Sequence, residues 1–232
     1  MKWKITFLLL FLSHMALGKS LGEDLYDQGK FEHSYNQYRS ELLERSQNGY
    51  LLYNMGNAAV RANRINEGLA AFIGSTNLVP RFSSNYKNLD LLLEGQGFTF
   101  REYQKRSWGY LYYISFLSIR EWVQLCVVLV LLMGFLYCFE KYRTTMICGI
   151  ILCVFSFGSF LRFKYQPKIG VVTAEHVNLF SGPGTFNAVV GNAAERSLVK
   201  EIQNFEEWKQ VEIVQGQNKI VGWISAKDMI FW

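Results

Sequence analysis

The sequence predicts a multidomain chain, α-helical first, membrane-crossing in the middle and all-β at the end. Three observations predict it. Residues 122–139 and 144–161 are two runs of eighteen residues without a charge; as helices each would span about 27 Å, close to the hydrocarbon thickness of a bilayer. Ahead of them the sequence repeats with a period of 34 residues. Behind them, from Gly170 on, short β-prone runs alternate with turn residues.

The two apolar runs flank Glu140-Lys141-Tyr142-Arg143. So short a connection turns the second helix back beside the first, which puts everything before and after the pair on one side of the membrane. Charge-free runs of this length are rare in soluble folds, so a membrane hairpin is expected rather than a buried helix pair.

At 232 residues, half of them hydrophobic, the chain has room for the hairpin and two small lobes but not for a large enzyme core. The formal charge of +5 invites a nucleic-acid reading, and the placement of the charges removes it. Lys19 to Arg106 carries eleven basic and ten acidic residues, and Tyr165 to Trp232 carries six and seven. The surplus sits at Lys2 and Lys4 and beside the apolar runs, at Arg120, Lys141, Arg143, Arg162 and Lys164, where it meets headgroups. Cys126, Cys138, Cys148 and Cys153 all fall inside the apolar runs, so neither lobe has a disulfide or a thiolate metal site. The histidines, His14, His33 and His176, lie in three separate segments. The pairs Glu23/Asp24 and Glu206/Glu207 are sequence neighbours, which read as solvated surface rather than as facing carboxylates across a cleft. No catalytic residue, metal site or cofactor is expected.

Residues 1–18 combine Lys2 and Lys4, the apolar run Ile5 to Leu12 and the small residues of Ala16-Leu17-Gly18, the pattern of an export signal. Cleaved or retained, it leaves the next segment outside the cytoplasm. Residues 19–97 hold the repeat. A shift of 34 lays Leu21-Gly22 on Met55-Gly56, Gly29 on Asn63, Phe31 on Ile65, Ser34 on Gly68 and Tyr38 on Phe72. Gly22 and Gly56 suit close helix approach, Gly29 and Asn63 suit a left-handed residue closing a first helix, and Pro80 stops the second.

This pattern resembles tetratricopeptide repeats: one from about Lys19, a second from Gly49 to about Phe82 with Leu52, Gly56, Phe72, Leu78 and Pro80 at family spacing, and a partial third helix from Ser83 to about Gly95. The resemblance implies a concave groove for protein partners, formed here by Tyr50, Tyr53, Asn54, Asn57, Val60 and Arg61 with Asn88. Asn54 matches a position that grips a terminal carboxylate in some relatives, but Glu23 stands where another clamp asparagine would be, so the clamp is not carried over. Asn54 and Asn57 are open to ligand contact or to inter-helix hydrogen bonding. Two and a half repeats rarely stand alone, so the exposed end of the stack is expected to dock on something.

Residues 98–121 are crowded with aromatics, Trp108, Tyr110, Tyr112, Tyr113 and Phe116, and read as an interfacial segment at headgroup level or as an extension of the first spanning helix. Residues 162–169 form a linker that reaches at most about 28 Å extended, so the β lobe stays near the bilayer. In residues 170–232, six runs are expected as strands: Val171-Val172, Val177 to Phe180, Val189-Val190, Leu198 to Ile202, Trp208 to Val214 and Ile220 to Ile224. That spacing predicts a small β-barrel.

Val177-Asn178-Leu179-Phe180-Ser181-Gly182-Pro183-Gly184-Thr185, followed by Trp208-Lys209-Gln210-Val211 and Gly222-Trp223-Ile224, resembles the ordered motifs of bacterial SH3 domains. Members often carry arginine where Phe180 stands. The resemblance implies an SH3-like barrel that binds cell-wall peptides or proteins; Trp208 and Trp223, flanked by aliphatics, read more as core than as ligand platform.

Export signal, repeats, membrane hairpin and SH3-like barrel in this order resemble the BatE proteins of bacterial aerotolerance (Bat) operons. That resemblance implies membership of an envelope complex; the function expected is a non-enzymatic scaffold, which the export signal puts at the outer face of the cytoplasmic membrane of a bacterium. Its implied partners are the von Willebrand A-domain membrane proteins of those operons. The alternative is a peptidoglycan-binding sensor or targeting subunit.

Overall fold

The computed structural model describes residues 19–44, 48–138, 142–215 and 218–232. The export signal expected at 1–18 lies outside them, as do Glu140 and Lys141 of the short connection.

Side-chain caps start several helices. The Ser20 hydroxyl accepts from the Glu23 N–H ahead of α1 (Leu21–Asp27), and the Asn48 carboxamide accepts from Tyr50 and Leu51 ahead of α3 (Gly49–Arg61). Between and after them run α2 (Phe31–Glu44), α4 (Ile65–Leu78) and α5 (Ser83–Leu92). A reciprocal Thr99/Glu102 capping box then opens α6 (Phe100–Trp108).

The six helices form three consecutive pairs. Left-handed residues in the connection that follows each first helix, Gly29, Asn63 and Gly97, fall 34 residues apart with φ of 74°, 61° and 76°. Within the first two pairs the close approach also repeats. A Cβ on Gly22 would stand 2.6 Å from Tyr38, and one on Gly56 would stand 2.7 Å from Phe72. The expected partial third helix therefore has a mate, α6, and the period continues once more.

Residues 98–121, expected to lie along the outer interface or to extend the first spanning helix, divide in two. Phe100, Tyr103, Gln104, Ser107 and Trp108 recur at helical spacing and are all buried. The exposed aromatics are further on, Tyr110 at 90 % and also Tyr113 and Phe116, around the single turn α7 (Leu111–Ile114). Burial of aromatic area in a protein core satisfied the first group before a bilayer was needed.

Helices α8 (Ile119–Cys138) and α9 (Tyr142–Tyr165) are each long and apolar enough to cross a membrane, with mean hydropathy of 2.0 and almost no surface buried. They run antiparallel: the Trp122 ring near the start of α8 packs 5.2 Å from that of Phe155 late in α9.

The remaining chain is a seven-stranded antiparallel sheet, β1 (Ile169–Val172), β2 (His176–Phe180), β3 (Val189–Ala194), β4 (Leu198–Phe205), β5 (Trp208–Gln215), β6 (Asn218–Ser225) and β7 (Met229–Phe231), in the order β3-β2-β6-β5-β4-β1-β7. All six expected runs are strands, and β7 is additional. Glu206, with φ of 53°, and Glu207 form the tight turn joining β4 to β5, so this carboxylate pair is exposed surface.

Alternation sends successive side chains to two different cores. Val172, Val199, Val211 and Ile213 pack with Leu179, Ala193, Ile224 and Met229 in a core built from the strands themselves, over which the sheet curls. Val171, Leu198 and Val214 face the other way, into a core shared with Phe72, Ile73, Leu89, Phe100, Tyr103 and Trp108. Strand β1 is consequently buried on both faces. The helical stack was expected to dock at its exposed end, and in the structure it docks on the sheet.

Candidate functional site

Helix α4 is buried along most of its length because it packs against α3 on one side and β1 and β7 on the other. This leaves the α3 face open. Tyr50, Asn54 and Arg61 are exposed there, while Tyr53 and Asn57 are half-buried. The Tyr53 ring is held edge-on to Phe82 at 4.7 Å and tilted to Phe72 at 5.6 Å; Tyr50 meets Phe82 at 5.2 Å. Asn88 from α5 donates from Nδ2 to Asn57 Oδ1 at 2.9 Å, and its distance to the Tyr53 hydroxyl is 3.5 Å. Of the two uses left open for the asparagines, Asn57 takes the inter-helix bond. Asn54 stays on the surface.

The motif residues of the sheet cluster around the β2–β3 loop and its neighbours. Asn178 and Ser181 are exposed. Asn187 braces the Ser181-Gly182-Pro183-Gly184 turn by donating to the carbonyls of Pro183 and Gly184 at 3.1 and 3.2 Å. A Cβ on Gly222 would stand 2.8 Å from Leu179 Cβ, so β6 can cross β2 only with glycine there. Trp223 is buried and edge-on to Phe205 at 6.5 Å, and Trp208 is half-buried against Phe180 at 5.7 Å. Phe180 thus uses its ring as an aromatic partner for Trp208. Phe186, at 89 % exposure, projects from the same loop.

Sequence reasoning missed the seam that joins the parts. Asn66 of α4 donates to the Glu195 carboxylate at 2.9 Å, Lys200 donates to the Ser107 carbonyl at 2.9 Å, and a Cβ on Gly74 would stand 2.8 Å from Trp232 Cβ. At the base of the hairpin Arg162, only 3 % exposed, donates to the Asn77 carbonyl at 3.1 Å and to the Ile114 carbonyl at 3.4 Å. The Trp122 indole donates to the same Ile114 carbonyl, and Arg81 pairs with Glu121. Only α6 left a readable trace, the Thr99-x-x-Glu102 box ahead of an i, i+3, i+4, i+7 apolar series. The contacts of the sheet with α4 and with Ser107 join residues 93 positions or more apart, and those at the base of the hairpin join separate elements, which no local pattern encodes.

Burial governs the phenols beneath this seam. It pushes Tyr86 from 10.0 up to about 12 against the opposing pull of Arg101, and it pushes Tyr103 up as well. Among the described residues no group of three or more His, Cys, Asp or Glu side chains is placed to hold a metal. No protein-family model and no curated protein matches the chain.

Proposed function

We propose that this protein is a non-enzymatic envelope scaffold of the BatE type. In this reading the three helix pairs are tetratricopeptide repeats, the curled sheet is a bacterial SH3-like barrel, and α8 and α9 cross the cytoplasmic membrane with both lobes on its outer side. The observation that carries it is the use of the two helical faces: the second helix of the central pair is covered by the sheet, while the first, bearing Tyr50, Asn54 and Arg61, is left open. A stack capped on one side and open on the other is what a partner-holding groove requires. The membrane part rests on the large apolar surface of α8 and α9, which water would not tolerate at this size.

Affinity capture from native membranes tests this reading. Tyr50→Ala, Asn54→Ala and Arg61→Ala together remove exposed groove contacts without touching a core residue, and they are expected to lower recovery of the von Willebrand A-domain partners at least tenfold, as loss of a small hot spot would. Unchanged recovery rejects the groove. The exposed Phe186 beside the braced turn favours a second reading, peptidoglycan binding by the barrel. Co-sedimentation of the full chain with purified peptidoglycan, together with unchanged recovery of partners by the groove variant, would establish that reading instead.

A further inference from the structure

Where α9 ends, a groove of about 590 Å³ opens between the helical stack and the sheet, walled by Trp108, Lys164, Tyr165, Lys168, Lys200 and Glu201 among others. We propose that it holds the phosphate-bearing headgroup of an anionic membrane phospholipid. The proposal rests on the membrane reading of α8 and α9.

Charge is the first argument. Glu201 and Glu212 both line the groove, yet each already has a close lysine from outside its walls: Lys209 at 2.6 Å and Lys219 at 3.0 Å. The groove's own three lysines are left without comparable carboxylates. Among the described residues Lys164 and Lys200 form no ion pair, and Lys168 has only a loose one, 3.8 Å from Glu201. Lys200 spends one donor on the Ser107 carbonyl and, as an ammonium, has two more.

A buried donor is the second argument. Trp108 is 6 % exposed, and among the described residues its indole Nε1–H has no acceptor. Unpaired buried donors are costly, and an indole can only donate. Lysines and a donor-only ring around one cleft match a ligand whose oxygens are negative and accept without donating, which is phosphate chemistry.

Placement selects the lipid as its source. Lys164 and Lys168 follow directly on the membrane-crossing part of α9, at headgroup level, and Phe160, Phe163 and Tyr165 are exposed beside them. Acyl chains of a lipid seated in the groove would continue down that aromatic flank into the bilayer; a free phosphate would leave it unused.

The test uses the full chain. It is first reconstituted into vesicles and floated, then extracted into mild detergent with phosphatidylglycerol, with phosphatidylcholine or with inorganic phosphate. Lipid retention is read by native mass spectrometry, and stability by thermal unfolding. Wild type is expected to retain phosphatidylglycerol in preference to phosphatidylcholine. Lys164→Gln with Lys168→Gln should weaken that retention by roughly tenfold or more. Trp108→Phe, which keeps the ring and removes the N–H, should weaken it by about tenfold. Equal retention by wild type and both variants overturns the site. If inorganic phosphate alone raises the unfolding temperature as much as the lipid does, the ligand is a soluble anion and the lipid assignment falls. If the chain does not float with vesicles, the membrane reading fails and takes this proposal with it.

Discussion

Tyr86 and Tyr103 sit in the core that helices and sheet share, with Arg101 stacked over the Tyr86 ring at 4.4 Å and the Tyr86 hydroxyl 3.4 Å from Gln104 Oε1. An unfolded tyrosine ionises near 10, while burial holds both phenols neutral to higher pH in the fold. Above pH 10 the unfolded chain therefore releases protons that the folded one keeps. The stability Tyr86 contributes is complete below pH 10 and is lost as pH climbs through about 12, and Tyr103, also shifted up, acts in the same direction. Alkaline titration should show tyrosinate absorbance and loss of near-ultraviolet circular dichroism rising together in that window, and Tyr86→Phe with Tyr103→Phe should move the transition to higher pH. A wild-type transition already finished at pH 10, or one the double variant leaves in place, would contradict this. The same residues show how far the sequence could be read. Phe100, Tyr103 and Trp108 have helical spacing and a capping box before them, but they sit beside genuinely exposed rings at Tyr110, Tyr113 and Phe116. Composition merged the two groups, and only the packing partner separates them.

At the scale of elements, α4 decides the architecture. A helix paired in a free-standing stack needs one apolar stripe, yet Gly68 to Thr76 is buried without a break. Its second face meets β1 and β7, and Gly74 is where backbone and Trp232 come closest. Gly74→Ala would bring a methyl within 2.8 Å of Trp232 Cβ and 3.3 Å of Leu52 Cδ1. Overpacking of this kind costs about 1–3 kcal/mol. Denaturant unfolding should register that loss, and Trp232→Gly in the same chain should recover most of it, because the obstructing Cβ is gone. A Gly74→Ala protein as stable as wild type would mean that the sheet does not press on α4. The six expected strands were legible because each places β-branched or aromatic residues between turn signals. Strand β7 was not: Met229–Phe231 is three residues long, and among the described residues its ladder is with β1 alone, nearly sixty positions away. The unbroken burial of α4 was visible as a run of small and apolar residues, but nothing local says that a sheet covers it.

For the whole molecule, the base of the hairpin fixes what the hairpin means. Arg162, from the end of α9, reaches the Asn77 carbonyl at the end of α4, while Arg81, just beyond α4, pairs with Glu121 at the start of α8. The two helices thus enter and leave the same place, and both lobes are packed on one another there. If α8 and α9 cross the bilayer, the lobes cannot lie on opposite faces without breaking the shared core of Phe72, Phe100, Trp108, Val171 and Leu198. The chain's cysteines make this measurable. All four are in the hairpin, so changing Cys126, Cys138, Cys148 and Cys153 to serine leaves a background into which single thiols can be placed. Lys87→Cys on the helical stack and Lys227→Cys on the sheet, both exposed positions, should react equally with a membrane-impermeant maleimide in intact cells or spheroplasts. Arg143→Cys, at the far turn, should react only after the membrane is opened. Labelling of Lys87→Cys without Lys227→Cys would dismantle the hairpin, because a shared core cannot be divided by a bilayer. Equal labelling of all three in intact cells or spheroplasts would instead mean that α8 and α9 lie outside the membrane as an exposed apolar arm.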